Sequence, residues 1–424
     1  MTYQETLSYI YGLARFGMRP GLERVSAVLR SLGNPHKEIR VVHVAGTNGK
    51  GSTAAFLSSI AAAGGYRVGL FTSPHLIRFT ERIRINGAEI EEVAVVRLAQ
   101  RVIKVAPPET TFFEIITAMA FLHFAEEEVS LAIMEAGMGG HLDATNIASG
   151  MLSVITPISL DHCRYLGETV ADIAREKVGV IKPGRPVVVA TQEAEALSVI
   201  ARRCKETDSG FYLSGVDFVS SWESQGLTYR GIHTRIPGLS PGIPGRYQAE
   251  NAALALCAAE LLTVQGFALD NSALRDGIES AHWPGRMETF GDSPRFLLDG
   301  AHNRAGAEAL AEALSDISHA RLFLVVGVMG DKDTERILDP LLPLADRVFA
   351  VSPALERALP SATLASLCRE RGKESIDAGK VAAGLSLAKR AAGPSDLVLV
   401  CGSLFTVGEA RAFLLARHFE PYRG

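Results

Sequence analysis

Positive charge is in short supply. Lysine and arginine number 43 against 47 aspartates and glutamates, a formal net charge of -4, so the chain has no broad cationic field for nucleic acid or anionic lipid. Neither kind of partner is expected, and any positive charge that matters must be local. The five cysteines (Cys163, Cys204, Cys257, Cys368, Cys401) form no CxxC pair and keep no regular spacing, which argues against a zinc site or a disulfide framework. A reducing cytoplasm fits that usage best. Apolar runs such as 322–328 fall far short of the roughly 18 to 20 residues that span a bilayer, and Met1-Thr2-Tyr3-Gln4-Glu5 lacks the charged and apolar regions of a signal peptide. The expectation is a cytoplasmic, soluble protein. Repeats and low-complexity segments are also missing, and the acidic Glu126-Glu127-Glu128 run reads as a solvated helix end.

What is present is core-forming material. Apolar residues make up 47% of 424 residues and charged ones 21%, enough for two or three domains, since single cores stop growing near about 250 to 300 residues. Short β-branched runs at 39–44, 67–71, 131–134, 152–156 and 186–190 each precede a helix-like stretch, the signature of βαβ units around a mostly parallel sheet. Between 210 and 236 apolar and polar residues alternate, which predicts a small antiparallel patch, and 248–263 reads as an Ala/Leu-rich helix. Trp283-Pro284-Gly285-Arg286 and Gly291-Asp292-Ser293-Pro294 look like a linker. Beyond it a second α/β series runs through strands at 295–298, 321–326, 347–351 and 396–401, with helices such as 305–314 and 381–391. The predicted fold is α/β, with a P-loop-type, mostly parallel sheet in a large N-terminal domain (1–287) and a smaller Rossmann-like C-terminal domain (294–424).

The most informative local pattern is Ala45-Gly46-Thr47-Asn48-Gly49-Lys50-Gly51-Ser52-Thr53, between a predicted strand and the helical run 54–63. Glycines let backbone N–H groups turn inward around a phosphate, the helix N-terminus adds partial positive charge, and Lys50 adds a full one. Ser52 or Thr53 could meet a magnesium ion. The spacing departs from the usual Walker form: Gly46 to Gly49 is tight, and Gly51 separates the lysine from the hydroxyls. Ser73, Glu135 and His162 lie far apart in sequence, yet each sits at or just past the C-terminal end of a predicted strand, where a parallel sheet converges on one crevice. A carboxylate, a hydroxyl and an imidazole could hold magnesium, which keeps water and phosphate oxygens as its other ligands.

The loop Thr47-Asn48-Gly49-Lys50-Gly51-Ser52 resembles that of the Mur ligase superfamily and, within it, the dihydrofolate synthase/folylpolyglutamate synthase family. The resemblance extends along nearly the whole chain: Ser73-Pro74-His75-Leu76 with Glu81-Arg82-Ile83, the stretch Glu135 to Asn146, Leu160-Asp161-His162, Arg175-Glu176-Lys177, Pro284-Gly285-Arg286, Asp299-Gly300-Ala301-His302-Asn303, Gly330-Asp331-Lys332-Asp333 and Gly402-Ser403. It implies an ATP-dependent amide ligase of folate and one-carbon metabolism, which phosphorylates the carboxylate of dihydropteroate or a reduced folate and joins L-glutamate to it through an acyl phosphate. It implies ATP contacts at Asn48, Gly49, Lys50, Gly51, Ser52, Asn251, Arg286 and Asp299. Two magnesium ions are implied near Ser52, Ser73, Glu135, His162 and Lys177, with Lys177 carbamylated, a chemistry that requires a neutral amine.

For the acyl substrate, the resemblance implies contacts from Gly17 to Arg24, from Thr111, Phe112, Phe113 and Glu114, and from Leu142, Asp143 and Ala144. His302 and Ser403 fall around the incoming glutamate, and Lys50, Lys177 and His302 are the catalytic candidates. Aromatic rings can stack on a flat heterocycle while a carboxylate accepts from its amines, but Phe112 and Phe113 read equally as packing at a helix start. A monomer is expected. The competing readings are a Mur-type ligase acting on a UDP-sugar and a P-loop ATPase switch. Arg304 stands where the family commonly has proline, and Cys163-Arg164 where polar or acidic residues are frequent.

Overall fold

The computed structural model describes residues 1–13, 17, 19 and 21–421, without the side chain of Arg164; Met18 and Pro20 of the predicted N-terminal substrate loop lie outside it. The first eight strands are β1 (Val41–Ala45), β2 (Val68–Phe71), β3 (Ile83–Ile85), β4 (Ala88–Glu89), β5 (Leu131–Glu135), β6 (Leu152–Ile155), β7 (Val187–Val189) and β8 (Phe211–Leu213). They form one sheet in the order β4-β3-β2-β5-β1-β6-β7-β8. All pairings are parallel except the β2-β3-β4 edge. β1 reads Val-Val-His-Val-Ala and is buried along its whole length, as a central strand covered on both faces requires. With β5 and β6 as its neighbours, the loops after β1, β5 and β6 leave the sheet side by side.

The alternating stretch resolves into two parts. β8 joins the main sheet in parallel, while β9 (Val219–Glu223), β10 (Gly226–Arg230) and β11 (Arg235–Leu239) make a separate antiparallel sheet. Its inner face, Leu227, Tyr229, Ile236 and Leu239, packs into the same core as the helices Lys50–Ala63 and Gln248–Val264.

β12 (Glu288–Phe290), β13 (Arg295–Leu298), β14 (Leu322–Val326), β15 (Arg347–Ser352), β16 (Ser375–Lys380) and β17 (Leu397–Cys401) form a third sheet, in the order β12-β13-β17-β14-β15-β16. Only β12 runs antiparallel. Gly291 to Pro294 is therefore the turn of a hairpin inside this sheet, not a linker: residues 288–290 already hydrogen-bond to β13. Helix Val170–Lys177 closes with a 3-10 turn at Val178–Val180. The Glu126-Glu127-Glu128 run does end a helix, but Glu126 faces Arg97 and Arg101, and Glu127 faces Arg67. No helix among the described residues is long and apolar enough to cross a membrane.

Candidate active site

The P-loop takes its shape from two glycines. Gly46 has φ +148° and a Cβ there would lie 1.9 Å from the Thr156 hydroxyl, while Gly49, at φ +85°, would press on the Asn251 amide at 2.3 Å. Only glycine allows those backbone conformations with neighbours so close. Helix Lys50–Ala63 starts directly after Gly49, so its unpaired amides and partial positive charge open into the crevice. The loop is braced from the β6 side. Thr47 and Asn48 donate their N–H groups to the Pro157 carbonyl at 2.9 and 3.2 Å, and the Thr47 hydroxyl bonds the backbone of Ser159 twice at 3.1 Å. Lys50 folds back to the Thr47 carbonyl at 3.2 Å, and Ser52 is buried in the first helical turn. Asn251 receives the Thr53 hydroxyl at 3.3 Å and donates to Gln248 at 2.8 Å.

Around Lys50 stand the strand-end groups. Glu135, the last residue of β5, accepts the Ser73 backbone N–H at 3.1 Å, so two distant motifs meet. Burial raises the Glu135 carboxyl above its usual range, although Lys50, the Ser73 amide, Arg286 and Arg82 oppose the rise. Lys177 is almost fully buried and donates to the Met138 carbonyl at 3.0 Å. Burial, then the charge of Lys50, lowers it from 10.5 to about 7. His162 holds a left-handed backbone at φ 51°, a conformation rare outside glycine that concentrates at functional sites. Burial lowers its imidazole to about 4, with Asp161 opposing, so at neutral pH it is uncharged, the form that ligates metal. His162 faces Asp161, 3.9 Å away. Among the described residues no three His, Cys, Asp or Glu side chains converge as a ready-made metal cluster.

The third sheet delivers its own loops to the same place, from the adjacent strands β13, β17 and β14. Asn303 bonds Asn48 of the P-loop through both side-chain amides, at 2.9 and 3.2 Å. His302 donates Nδ1–H to the Gly300 carbonyl at 2.8 Å and turns Nε2 toward Asp161 at 3.5 Å. Arg286 donates to its neighbour Gly285 at 3.0 Å and lies against Gly300. Asp299 is already occupied: its carboxylate accepts the Tyr247 hydroxyl at 2.6 Å and the Met287 and Ala301 N–H groups at 3.0 and 2.9 Å. Ser403 is likewise engaged, capping helix Leu404–Leu414 through Thr406 N–H at 3.0 Å.

The substrate candidates divide. Thr111 and Glu114 form a capping box for helix Phe112–Glu126, with Arg24 on the same Glu114 carboxylate at 3.1 Å. Phe112 is a core residue, stacked on Tyr11 at 5.6 Å with the Arg82 guanidinium 5.3 Å from its ring. Phe113 is half-buried and lies over Gly137. Leu142 is exposed, Ala144 is buried, and Asp143 ties the β5 loop together by accepting from Gly137, Met138 and Thr145.

Two residues quoted only as parts of motifs emerge as central. Asp161 accepts from Lys332, which crosses over from the loop after β14. Burial favours the neutral acid, but the His302 contact and then the Lys332 ammonium hold Asp161 far below the usual carboxylate range. No short-range signal could reveal this contact, since the partners are 171 residues apart.

A P-loop at the switch of a parallel sheet, facing a second α/β sheet across a polar cleft, defines an ATP-using ligase of the Mur type. Residues 44–259 match the Mur ligase middle domain, and residues 285–404 match the Mur ligase glutamate ligase domain. The chain belongs to the dihydrofolate synthase/folylpolyglutamate synthase family. It is 36% identical to the Bacillus subtilis dihydrofolate synthase/folylpolyglutamate synthase, over 96% of this chain and 98% of that one. The Escherichia coli FolC structure with DHPP and ADP superposes with a TM-score of 0.90 at 34% identity, covering 98% of each chain. The bifunctional folylpolyglutamate synthase/dihydrofolate synthase of Yersinia pestis, complexed with AMPPNP and a manganese ion, gives 0.88 at 32% identity, also over 98% of each.

Proposed function

We infer that the chain is an ATP-dependent ligase that adds L-glutamate to the carboxylate of dihydropteroate, of reduced folates, or of both, working as a cytoplasmic monomer. A carboxylate resists an amine because its leaving group would be oxide; phosphorylation removes that barrier. The γ-phosphoryl passes from ATP to the pteroate or folate carboxylate, the glutamate amine attacks the acyl phosphate, and phosphate leaves. The observation that carries this reading is that the P-loop helix, the strand ends and the sheet junction line one cavity, with Gly51, Ser73, Glu135 and Arg286 on its wall and Lys50 opening the helix directly after Gly49. Charge spreading over a transferring phosphoryl group would develop among those residues.

The P-loop amides and Lys50 hold the phosphates, and Arg286 at the junction of the sheets adds a planar guanidinium suited to two oxygens. Glu135, raised by burial, has the chemistry of a carboxylate that a cation would stabilise. With Ser52, Ser73 and neutral His162 it suits magnesium, which takes few protein ligands and keeps water and phosphate oxygens as the rest. Bound there, magnesium would neutralise phosphate charge. A lysine near neutrality can add carbon dioxide, so Lys177 is assigned as the carbamylated residue serving a second ion. Half-buried Phe113 and exposed Leu142 supply the apolar surface for the pterin. Residues 1–287 and the third sheet from β12 onward act as two domains, the first carrying ATP and acyl substrate and the second presenting glutamate through His302, with closure excluding water.

The test offers purified protein ATP, magnesium and glutamate with dihydropteroate or tetrahydrofolate separately, and reads products by mass spectrometry. Glutamylated product with stoichiometric ADP is expected, falling about 100-fold or more in Lys50→Ala. ADP without any glutamylated product would refute the assignment.

A further inference from the structure

Asp161 gathers donors from both halves of the molecule. Its carboxylate, 6% exposed, meets the Lys332 ammonium, itself 11% exposed. It also lies 3.5 Å from His302 Nε2 and 3.4 Å from Asn303 Nδ2. On its own loop it accepts the His162 N–H at 2.8 Å. An ionised carboxylate only accepts, at about four lone-pair sites, so Lys332, Asn303 and the His162 N–H occupy most of them, with His302 Nε2 close by. Exposure separates this contact from ordinary surface pairs. Arg304–Glu308 has side chains 63% and 51% exposed and belongs to a class that contributes little, whereas removing one partner of a buried pair leaves a charge without compensation.

The mechanical connection runs further. Asp161 follows Ser159 by two residues, and Ser159 is bonded twice to Thr47 of the P-loop. Asp161 is therefore fixed to the phosphate side of the cleft, while Lys332 and His302 come from the loops after β14 and β13. We propose that Asp161 is a positioning residue for the amine-attack half of the reaction: it clasps Lys332 and His302 so that the glutamate side of the cleft is held in register with the P-loop. Amide formation needs the amine and the acyl carbon about 3 to 3.5 Å apart, and a clasp between the two loop systems sets that separation. This inference rests on the ligase reading above.

Two measurements on the full chain test it. Steady-state rates of Asp161→Asn, Lys332→Met and the double variant should show the KM for glutamate raised about tenfold or more by Asp161→Asn, with the KM for ATP changed less than about twofold. The double variant should be no worse than the more damaging single one, because both break the same contact. A glutamate KM within twofold of wild type, or losses that multiply, would overturn the proposal. Independently of activity, acylation of lysine amines followed by peptide mass spectrometry should find Lys332 protected in wild type and labelled several-fold faster in Asp161→Asn. Equal labelling also overturns it. Should the wild type form no amide while Lys332 labelling still depends on Asp161, the clasp exists and it is the ligase reading that fails.

Discussion

Asn48 in the P-loop and Asn303 after β13 exchange side-chain amides at 2.9 and 3.2 Å, which joins the phosphate loop of one sheet directly to the strand-end loop of the other. Asn303 does a second job: its Oδ1 caps helix Arg304–Leu314 by accepting from Gly306 N–H at 2.9 Å. The two roles separate by substitution. Asn48→Ala removes the link and a 3.4 Å bond to Ser159 Oγ but no helix cap, and kcat/KM is expected to fall about tenfold, the scale of one well-placed hydrogen bond of roughly 1 kcal/mol. Asn303→Ala removes link, cap and the contact with Asp161 together, so it should also lose about 1 kcal/mol of folding stability. Urea unfolding beside steady-state kinetics checks both, and equal stability losses in the two variants would contradict the division.

Lys177 gives a pH-dependent prediction. Its amine is lowered from 10.5 to about 7 by burial and by Lys50, so the neutral form that adds carbon dioxide is already abundant near pH 7 and grows above it. Activity limited by carbamylation should therefore rise from pH 6 to pH 8 and respond to added bicarbonate most at the acidic end. NMR with 13C-bicarbonate should detect a carbamate carbon that Lys177→Met lacks; the same signal in that variant would place the modification elsewhere. The stability sign follows from the same shift. The unfolded chain binds the extra proton between about 7 and 10.5, so this residue's contribution makes folding more favourable as pH climbs through that window.

The adjacent rings at the start of helix Phe112–Glu126 should behave differently. Phe112 sits in the core against Tyr11 and Arg82, and Phe112→Ala is expected to cost about 3 to 5 kcal/mol of stability. Phe113 is half-buried over Gly137, so Phe113→Ala should cost less stability but raise the KM for the pterin substrate about tenfold. Thermal unfolding and substrate titration distinguish them, and a pterin KM unchanged in Phe113→Ala would remove that ring from the binding surface.

The parts of this molecule that declared themselves in sequence are those in which local pattern and global position coincide. β1, the glycines of the P-loop and helix Lys50–Ala63 form one continuous strand-loop-helix signal, and the strand-end residues could be placed because parallel strands share one direction. β16 escaped because Ser375–Lys380 carries Asp377, Gly379 and Lys380 where a buried strand would be apolar. The β12-β13 turn resembles a linker in sequence because Gly291-Asp292-Ser293-Pro294 has the composition of one. Asp299 and Ser403 stand where the motifs put them, but their hydrogen-bonding capacity is committed to Tyr247, Met287, Ala301 and Thr406. Such local commitments depend on three-dimensional neighbours and have no periodic signature.

Asp299 consequently predicts a stability effect. It ties Tyr247 ahead of helix Gln248–Val264, Met287 at the sheet junction and Ala301 after β13 to a single carboxylate. Asp299→Ala would strand three buried donors, each costing about 1 to 3 kcal/mol when left unsatisfied, whereas Tyr247→Phe removes just one donor. Thermal unfolding should show a clearly larger fall in Tm for Asp299→Ala than for Tyr247→Phe. Matching shifts would mean that the two backbone N–H groups find other partners.

The last turn of the chain holds a comparable knot. Glu420 lies beyond helix Leu404–Leu414, yet its carboxylate accepts the Phe79 N–H at 2.9 Å and the Tyr3 hydroxyl at 3.1 Å, and its own N–H donates to Ile77 at 2.9 Å. The tail thus crosses from the third sheet to the loop that runs from Ser73 to Arg82, whose other anchor is Glu81, bonded to the N–H groups of Leu76, Ile77 and Arg78. Since Ser73 also donates to Glu135, loosening one end of this loop should disturb the crevice at the other. Glu420→Ala is expected to cost about 1 to 3 kcal/mol, because Phe79 N–H is buried without a substitute, and to lower kcat while leaving the KM for glutamate nearly unchanged. Tyr3→Phe, which removes one part-buried hydrogen bond, should cost about 1 kcal/mol. Hydrogen exchange supplies the direct check: amides of residues 76–79 should exchange faster in Glu420→Ala than in wild type, and unchanged protection there would show that Glu420 does not hold the loop.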